Sequence, residues 1–141
     1  MPVAKIVILN WNGAEHLRRF LPSVVAAAPA GVEVVVADNG STDDSLRVLA
    51  TEFPSVGVLR LDANYGFAGG YNRALEQVRA DYYLLLNSDI ETPEGWLAPI
   101  LDVLEREPDV AVVSPKLISW TDRTKFEYAG ASGGFIDFLG Y

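Results

Sequence analysis

The sequence contains no cysteine, which excludes a disulfide framework, a thiolate zinc site and a cysteine nucleophile. It is also poor in positive charge, with 11 Lys and Arg against 19 Asp and Glu and a formal net charge of −8. Without a polycationic surface there is little counterion release to hold nucleic acid, so DNA and RNA are excluded as main partners. No stretch approaches the roughly 18 uninterrupted apolar residues of a membrane span, and no transmembrane segment is expected. Arg18 and Arg19 ahead of the apolar residues 20–28 imitate a secretory leader. A leader would not carry Glu15 and a strand-like run at Ile6, Val7, Ile8 and Leu9 in front of it, so an amphipathic helix accounts for the segment better. Internal repeats and low-complexity tracts are lacking too, which leaves one compact domain as the expectation for 141 residues. The expected location is the cytoplasm, which the lack of cysteine allows, with peripheral association at the inner face of the membrane compatible with it.

What the chain does have is apolar mass. Half of its residues are hydrophobic and 11% are aromatic, enough to bury a core and to argue against disorder. That mass is patterned. Residues 3–11, 32–37, 56–61, 82–86 and 110–113 read as short, near-continuously apolar strands. Between them, residues from Ala14 on, from the Ser41, Thr42, Asp43, Asp44 cluster to about Phe53, 68–79 and 93–107 carry helical spacing. Pro22 should kink the first helix or start a second segment, and Gly31 should close it. Parallel returns need crossovers, and strands apolar on both sides need cover on both faces. The expected fold class is therefore α/β, doubly wound around a mostly parallel sheet. Beyond Pro115 the pattern weakens to strand-like pieces at 117–120 and 126–128 and an apolar ending at 135–141, which suggests a truncated chain.

In open sheets of this kind ligands gather beyond the carboxyl ends of the strands. The chemistry-bearing residues of this sequence cluster there: Asn10, Trp11 and Asn12; Asp38, Asn39, Gly40 and Ser41; Asn64, Tyr65 and Gly66; Asn87, Ser88 and Asp89. A carboxylate at Asp38 can accept the N3 hydrogen of uracil or thymine, where cytosine offers only an acceptor; the competing reading is an Asx turn that caps nearby amides. Gly66, Gly69 and Gly70, where a loop turns into a helix, permit close approach of backbone amides to a phosphate-bearing ligand, or simply tight packing. The spacing is not G-x-G-x-x-G, and no G-K-[ST] loop is present. Asp89 suits a hard divalent cation such as Mg²⁺, which commonly takes one or two carboxylates plus substrate phosphates; the alternative is a capping aspartate ahead of Pro93. His16 reads as a solvated side chain, Trp11 as a base-stacking or space-filling ring, and Arg73 as a phosphate contact or an exposed helical residue.

These clusters, in this order, make the sequence resemble the nucleotide-binding half of family-2 glycosyltransferases with the GT-A fold. The matching signatures are Val7-Ile8-Leu9-Asn10-Trp11-Asn12, Ala37-Asp38-Asn39-Gly40-Ser41-Thr42-Asp43, Asn64-Tyr65-Gly66-Phe67-Ala68-Gly69-Gly70-Tyr71-Asn72 and Leu85-Leu86-Asn87-Ser88-Asp89. The resemblance implies a transferase that moves a sugar from a UDP- or dTDP-sugar donor to a hydroxyl of a glycan or lipid-linked acceptor, with inversion. It implies that Asp38 holds the pyrimidine, that Asn10, Trp11, Asn12, Asn64, Gly66, Gly70 and Asn72 line the nucleotide pocket, and that Asp89 binds Mg²⁺ or Mn²⁺ on the diphosphate. The family's D-x-D motif stands here as Asn87-Ser88-Asp89, without its first carboxylate. The Asn87 amide can still meet a ribose hydroxyl, and this N-x-D form resembles that of rhamnosyltransferase-like members, which brings dTDP-rhamnose forward beside UDP-hexoses. The resemblance also implies that residues 1–115 form the nucleotide-sugar-binding domain and that 116–141 begin an acceptor-side region, with the catalytic base unassigned. The rival expectation is a non-catalytic nucleotide-binding or receiver-like signalling domain, but such a module wants an acidic pair after the first strand, where this chain has Asn10, Trp11 and Asn12.

Overall fold

A computed structural model describes residues 3–127. The chain divides after Trp96 into two compact units. The first alternates strand and helix: β1 (Ala4–Asn10), α1 (Ala14–Ala27), β2 (Glu33–Asp38), α2 (Ser45–Glu52), β3 (Gly57–Arg60), α3 (Gly66–Gln77) and β4 (Tyr82–Asn87). All strand pairs are parallel and the order across the sheet is β3-β2-β1-β4. The doubly wound α/β class is thereby observed. β1 lies in the interior, so it is apolar on both faces, with Ile6, Val7 and Ile8 all buried.

One face carries Val7 and Ala37, covered by Tyr71, Ala74 and Val78, with Leu9, Val35 and Leu59 packed around them. Tyr71 and Ala74 belong to α3, which lies on β1 and β2. Residues of opposite parity, Ile6, Ile8 and Val36, are buried as well, which requires a second helical layer. α1 and α2, packed against each other, supply it with Leu17, Leu21, Val24, Val48 and Leu49.

Several local expectations are corrected. α1 runs through Pro22 to Ala27 as one element, and Pro22 is exposed, so its missing donor falls on the solvent side. Gly31 does not close this helix; Ala28 is already extended ahead of Pro29, as the residue before a proline prefers, and Gly31 serves a following turn in which Val32 N–H donates to the Pro29 carbonyl at 3.0 Å. Gly95 has φ +73°, outside helical space, so the helix expected from residue 93 begins later, as α4 (Ala98–Arg106) in the second unit. Residues 110–113 form no strand: among the described residues they pair with no other strand, Val110 N–H instead donates to the Glu107 carbonyl at 2.9 Å, and Val112 is 82% exposed. The pieces expected at 117–120 and 126–128 are reduced to one antiparallel bridge, Ile118 with Phe126, closed by a turn in which Asp122 accepts from Thr124 and pairs with Lys125. Tyr128 and residues 135–141 lie outside the described residues.

Tyr71 ties the sheet together where β1 and β4 end. Its buried hydroxyl donates to the Leu86 carbonyl at 2.9 Å and accepts from Leu9 N–H at 3.4 Å, and burial raises its pKa against the opposing effect of the Leu9 bond. Tyr71→Phe keeps the ring but leaves a strand carbonyl and amide without this partner. It should lower unfolding stability by about 1–3 kcal/mol, read from urea denaturation, and an unchanged midpoint would show that the hydroxyl is dispensable.

Candidate nucleotide-binding site

The order β3-β2-β1-β4 means that the chain builds outward from β1 on one side and then returns to its other side for β4. The crevice of an open α/β sheet opens at that reversal, beyond the carboxyl ends of β1 and β4. Three of the four polar clusters start on the last residue of a strand, at Asn10, Asp38 and Asn87, and the fourth, from Asn64, leads from the end of β3 into α3.

β1 and β2 end in register, Asn10 opposite Asp38, so their side chains share a face. The Asn10 amide donates from Nδ2 to Oδ1 of Asp38 at 3.2 Å and to Oγ of Ser41 at 3.2 Å. Ser41 N–H in turn donates to Oδ2 of Asp38 at 3.1 Å, so the aspartate also caps its own turn. Asp38 is only 2% exposed and Asn10 fully buried. Each carboxylate oxygen has two acceptor sites, so these two bonds orient Asp38 without saturating it. Asn10 Oδ1 is buried with no partner among the described residues and faces Gly13, where any side chain would collide with it.

Asn12 takes the left-handed conformation, φ 50°, and its Oδ1 accepts from Thr42 N–H at 2.7 Å and Asp43 N–H at 3.3 Å, which binds the β1 and β2 loops to each other. Asp43 completes the join by accepting from Ala14 N–H and Ser45 N–H, both at 3.0 Å, at the starts of α1 and α2. Partial burial would raise its pKa, but these hydrogen bonds outweigh that and lower it. Their contribution is therefore present above its ordinary pKa and lost as pH falls through the lowered one.

Sequence reasoning gave Asn39 no role, yet it fastens the third cluster. It is 2% exposed, its Nδ2 donates to Asn64 Oδ1 and to the Gly66 carbonyl, and its Oδ1 accepts from Tyr65 N–H, all at 3.0 Å. The Asn64 side chain also accepts from Gly66 N–H at 2.8 Å, in the first turn of α3, where Gly66 has φ +70°. Gly70 lets α3 approach β1 and the clamp: a Cβ there would stand 2.9 Å from Asn39 Nδ2 and from Leu9 Cδ1. Nothing in the residue pattern joins position 39 to 64–66; the only signal was that two Asn-containing turns end neighbouring strands.

The remaining candidates stand apart. Trp11 is 56% exposed, and neither it nor the exposed Asn72 has a side-chain hydrogen bond among the described residues. Asn87 ends β4 opposite Leu9, and Asp89 follows two residues later, exposed and with no hydrogen bond or ion pair among the described residues. Arg73 stacks its guanidinium 3.7 Å from the Tyr65 ring centroid, and exposed His16 lies near the Phe20 ring. Among the described residues no group of three His, Cys, Asp or Glu side chains is placed to hold a metal ion, and Asp89 offers a single exposed carboxylate.

Two clefts flank β2. The larger, about 590 Å³, lies at the amino ends of β2 and β3 among apolar residues such as Val25, Val32, Val34 and Val56, and its Glu33 is paired with Lys5 at 2.6 Å. The other, about 520 Å³, lies at the carboxyl ends and is lined by Asp38, Gly40, Ser41, Leu46, Arg60 and Asp62 among others. The second is the functional candidate, because it holds Asp38 and Ser41 at the carboxyl ends of the strands, on the β2 and β3 side of the sheet.

The sheet order, the double helical layer and the polar strand ends define a Rossmann-like α/β domain. The chain belongs to glycosyl transferase family 2, whose sequence profile matches residues 5–133. It is 29% identical over 124 residues to N-acetylglucosaminyl-diphospho-decaprenol L-rhamnosyltransferase of Mycobacterium tuberculosis, an alignment covering 80% of this chain and 40% of the relative. It is 31% identical over 142 residues to human polypeptide N-acetylgalactosaminyltransferase 16, covering 96% of this chain and 25% of that protein. Among solved structures, the mannosyltransferase PcManGT from Pyrobaculum calidifontis, in complex with GDP-Man and Mn²⁺, superposes with a TM-score of 0.66 at 22% identity, over 82% of this chain and 36% of its own. This likeness shows the GT-A fold. The chain thus spans less than half the length of these relatives. Among the described residues no helix is long and apolar enough to cross a membrane.

Proposed function

We propose that this chain is the donor-binding portion of a glycosyltransferase that uses a UDP- or dTDP-sugar, transfers the sugar with inversion to a hydroxyl of a glycan or lipid-linked acceptor, and works with Mg²⁺ or Mn²⁺. The observation that carries the reading is the joint placement of an oriented, buried Asp38 and a free, exposed Asp89 along one edge of the sheet. Family membership supports the reaction class, and the decaprenol-linked sugar in the name of the mycobacterial relative supports a lipid-linked acceptor. Residues 1–115 would form the donor domain and 116–141 begin the acceptor side. The reaction would take place in the cytoplasm, at the inner face of the membrane when the acceptor is lipid-linked.

In this mechanism Asn10 and the Ser41 amide fix the Asp38 carboxylate, which accepts the N3 hydrogen of the pyrimidine. Asn12, Asn64, Gly66, Gly70 and Asn72 shape the nucleotide pocket, Trp11 offers a stacking surface, and the Asn87 amide meets a ribose hydroxyl. Asp89 would hold the cation, which would supply charge neutralisation on the departing diphosphate. A general base, to which no residue is assigned, would take the proton of the acceptor hydroxyl as its oxygen bonds to the anomeric carbon; the bond from that carbon to the phosphate oxygen breaks, and the nucleoside diphosphate leaves with the electron pair.

UDP and dTDP should bind more tightly than CDP or GDP in the presence of Mg²⁺. A hydrogen bond to a charged group contributes about 1.5–3 kcal/mol, which corresponds to about 10- to 100-fold in affinity. Isothermal calorimetry of wild type and Asp38→Ala decides it: equal affinity for CDP, or unchanged uridine diphosphate binding in a folded Asp38→Ala, would remove Asp38 from the pocket.

A further inference from the structure

The register that sets Asn10 opposite Asp38 continues one strand further, where Asp38 is opposite Arg60. Asn10, Asp38 and Arg60 therefore form a polar row across the carboxyl ends of three adjacent parallel strands, with side chains on one face and neighbouring strands about 4.8 Å apart. Such a row is invisible in the sequence, where the three positions are separated by two helices.

Arg60 is exposed and lines the same cleft of about 520 Å³ as Asp38, a volume within the range of about 300–1,000 Å³ usual for small-ligand pockets. It forms no hydrogen bond, ion pair or ring contact through its side chain among the described residues. The nearest acidic residue in sequence, Asp62, instead accepts a hydrogen bond from the Tyr65 hydroxyl at 2.8 Å. An unpaired guanidinium is therefore left at the mouth of a cleft whose inner wall is a carboxylate, in a chain of net charge −8.

We propose that Arg60 is a base-recognition residue of the donor site, donating to a ring carbonyl that flanks N3 of the pyrimidine. This rests on the reading of Asp38 given above. The chemistry is complementary: uracil and thymine present acceptor, donor, acceptor along the O2, N3, O4 edge. Asp38 supplies the acceptor for the central hydrogen, and a guanidinium with five N–H donors supplies the partner for an adjacent oxygen. Arg60 reaches from the next strand, so it meets the ring edge beside Asp38 without displacing the bonds that Asp38 makes to Asn10 and Ser41.

The test uses the 141-residue chain and the variant Arg60→Met, which keeps the aliphatic stem and removes every donor. UDP binding is measured by calorimetry with Mg²⁺, uridine binding by NMR titration, and folding by thermal melting. The expected result is an unchanged melting temperature with UDP and uridine both weakened about tenfold, because a base contact is made whether or not phosphate is present. Unchanged UDP affinity in the variant overturns the proposal. Weakened UDP with unchanged uridine also overturns it, since the guanidinium would then be meeting phosphate. If wild type shows no preference for UDP over CDP, the reading of Asp38 fails first, and that outcome is visible before the variant is compared.

Discussion

Asp89→Ala should abolish the divalent-metal dependence of UDP or dTDP binding while leaving the melting temperature of the chain unchanged. Asp89 is exposed beyond the end of β4 and touches no hydrogen-bonding or charged partner among the described residues, so the fold has no use for its carboxylate. A nucleoside diphosphate, by contrast, must approach a protein of net charge −8 and settle at an edge that already holds Asp38. A divalent cation held by Asp89 would reverse that local field. Two unit charges 4 Å apart attract by about 4 kcal/mol at an effective dielectric near 20, so losing the carboxylate should weaken metal-supported binding by up to about 1,000-fold. Calorimetry with UDP in Mg²⁺ and in EDTA measures the difference directly. The two titrations should converge in the variant. If they remain as far apart as in wild type, the cation is held elsewhere and the Asn87-Ser88-Asp89 segment loses its assigned role.

The alternation of strands and helices was legible because the strands are short apolar runs at the spacing that crossovers need; β1 and the end of β2 are buried as such runs require, whereas the edge strands β3 and β4 leave Val58 43% and Leu85 52% exposed. Where the expectation failed, the deciding term was not hydrophobicity. Residues 110–113 are as apolar as β3, but a strand exists only through its neighbour, and this run has none among the described residues. Gly95 delayed α4 through a backbone angle, and Ala28 ended α1 because Pro29 follows it. The site divides in the same way. That polar and glycine-rich clusters would follow the strands could be read directly, since a ligand edge of this fold lies there. Which residues meet could not. Asn10 reaches Asp38, and Arg60 stands beside it, only because β1, β2 and β3 are adjacent and in one register. Asn64 is expected from the resemblance to line the nucleotide pocket and Asn39 has no role of its own in the sequence; their bond is a consequence of two loops brought side by side by the β2–β3 pairing and by α3.

The same join supplies the largest expected loss of stability. Asn39→Asp is isosteric, yet it removes both Nδ2 donors and sets an oxygen against two acceptors, Asn64 Oδ1 and the Gly66 carbonyl, now at 3.0 Å from the amide nitrogen. The position is 2% exposed, and Gly40 beside it leaves no room for retreat: with φ +72°, a Cβ there would already fall 2.7 Å from the Ala63 carbonyl carbon. Leaving a buried charge uncompensated costs about 3–5 kcal/mol. The replacement carboxyl should accordingly have its pKa raised in the folded state, by burial and by the two facing oxygens. A carboxyl with a raised folded pKa binds its proton more readily in the native state. Its penalty is therefore smallest below the unfolded pKa and grows as pH rises through the folded one. The gap between wild type and Asn39→Asp should thus be wide near pH 7 and narrow near pH 4, where the protonated acid regains one donor for Asn64 or Gly66. Urea denaturation at the two pH values measures it, and UDP affinity should fall with stability, because the loop from Asn64 to Gly66 is no longer held against β2. A variant as stable as wild type near pH 7 would show that the two donors of Asn39 do not carry this join, and that the loop is positioned by the backbone packing of Gly40 on Ala63 alone.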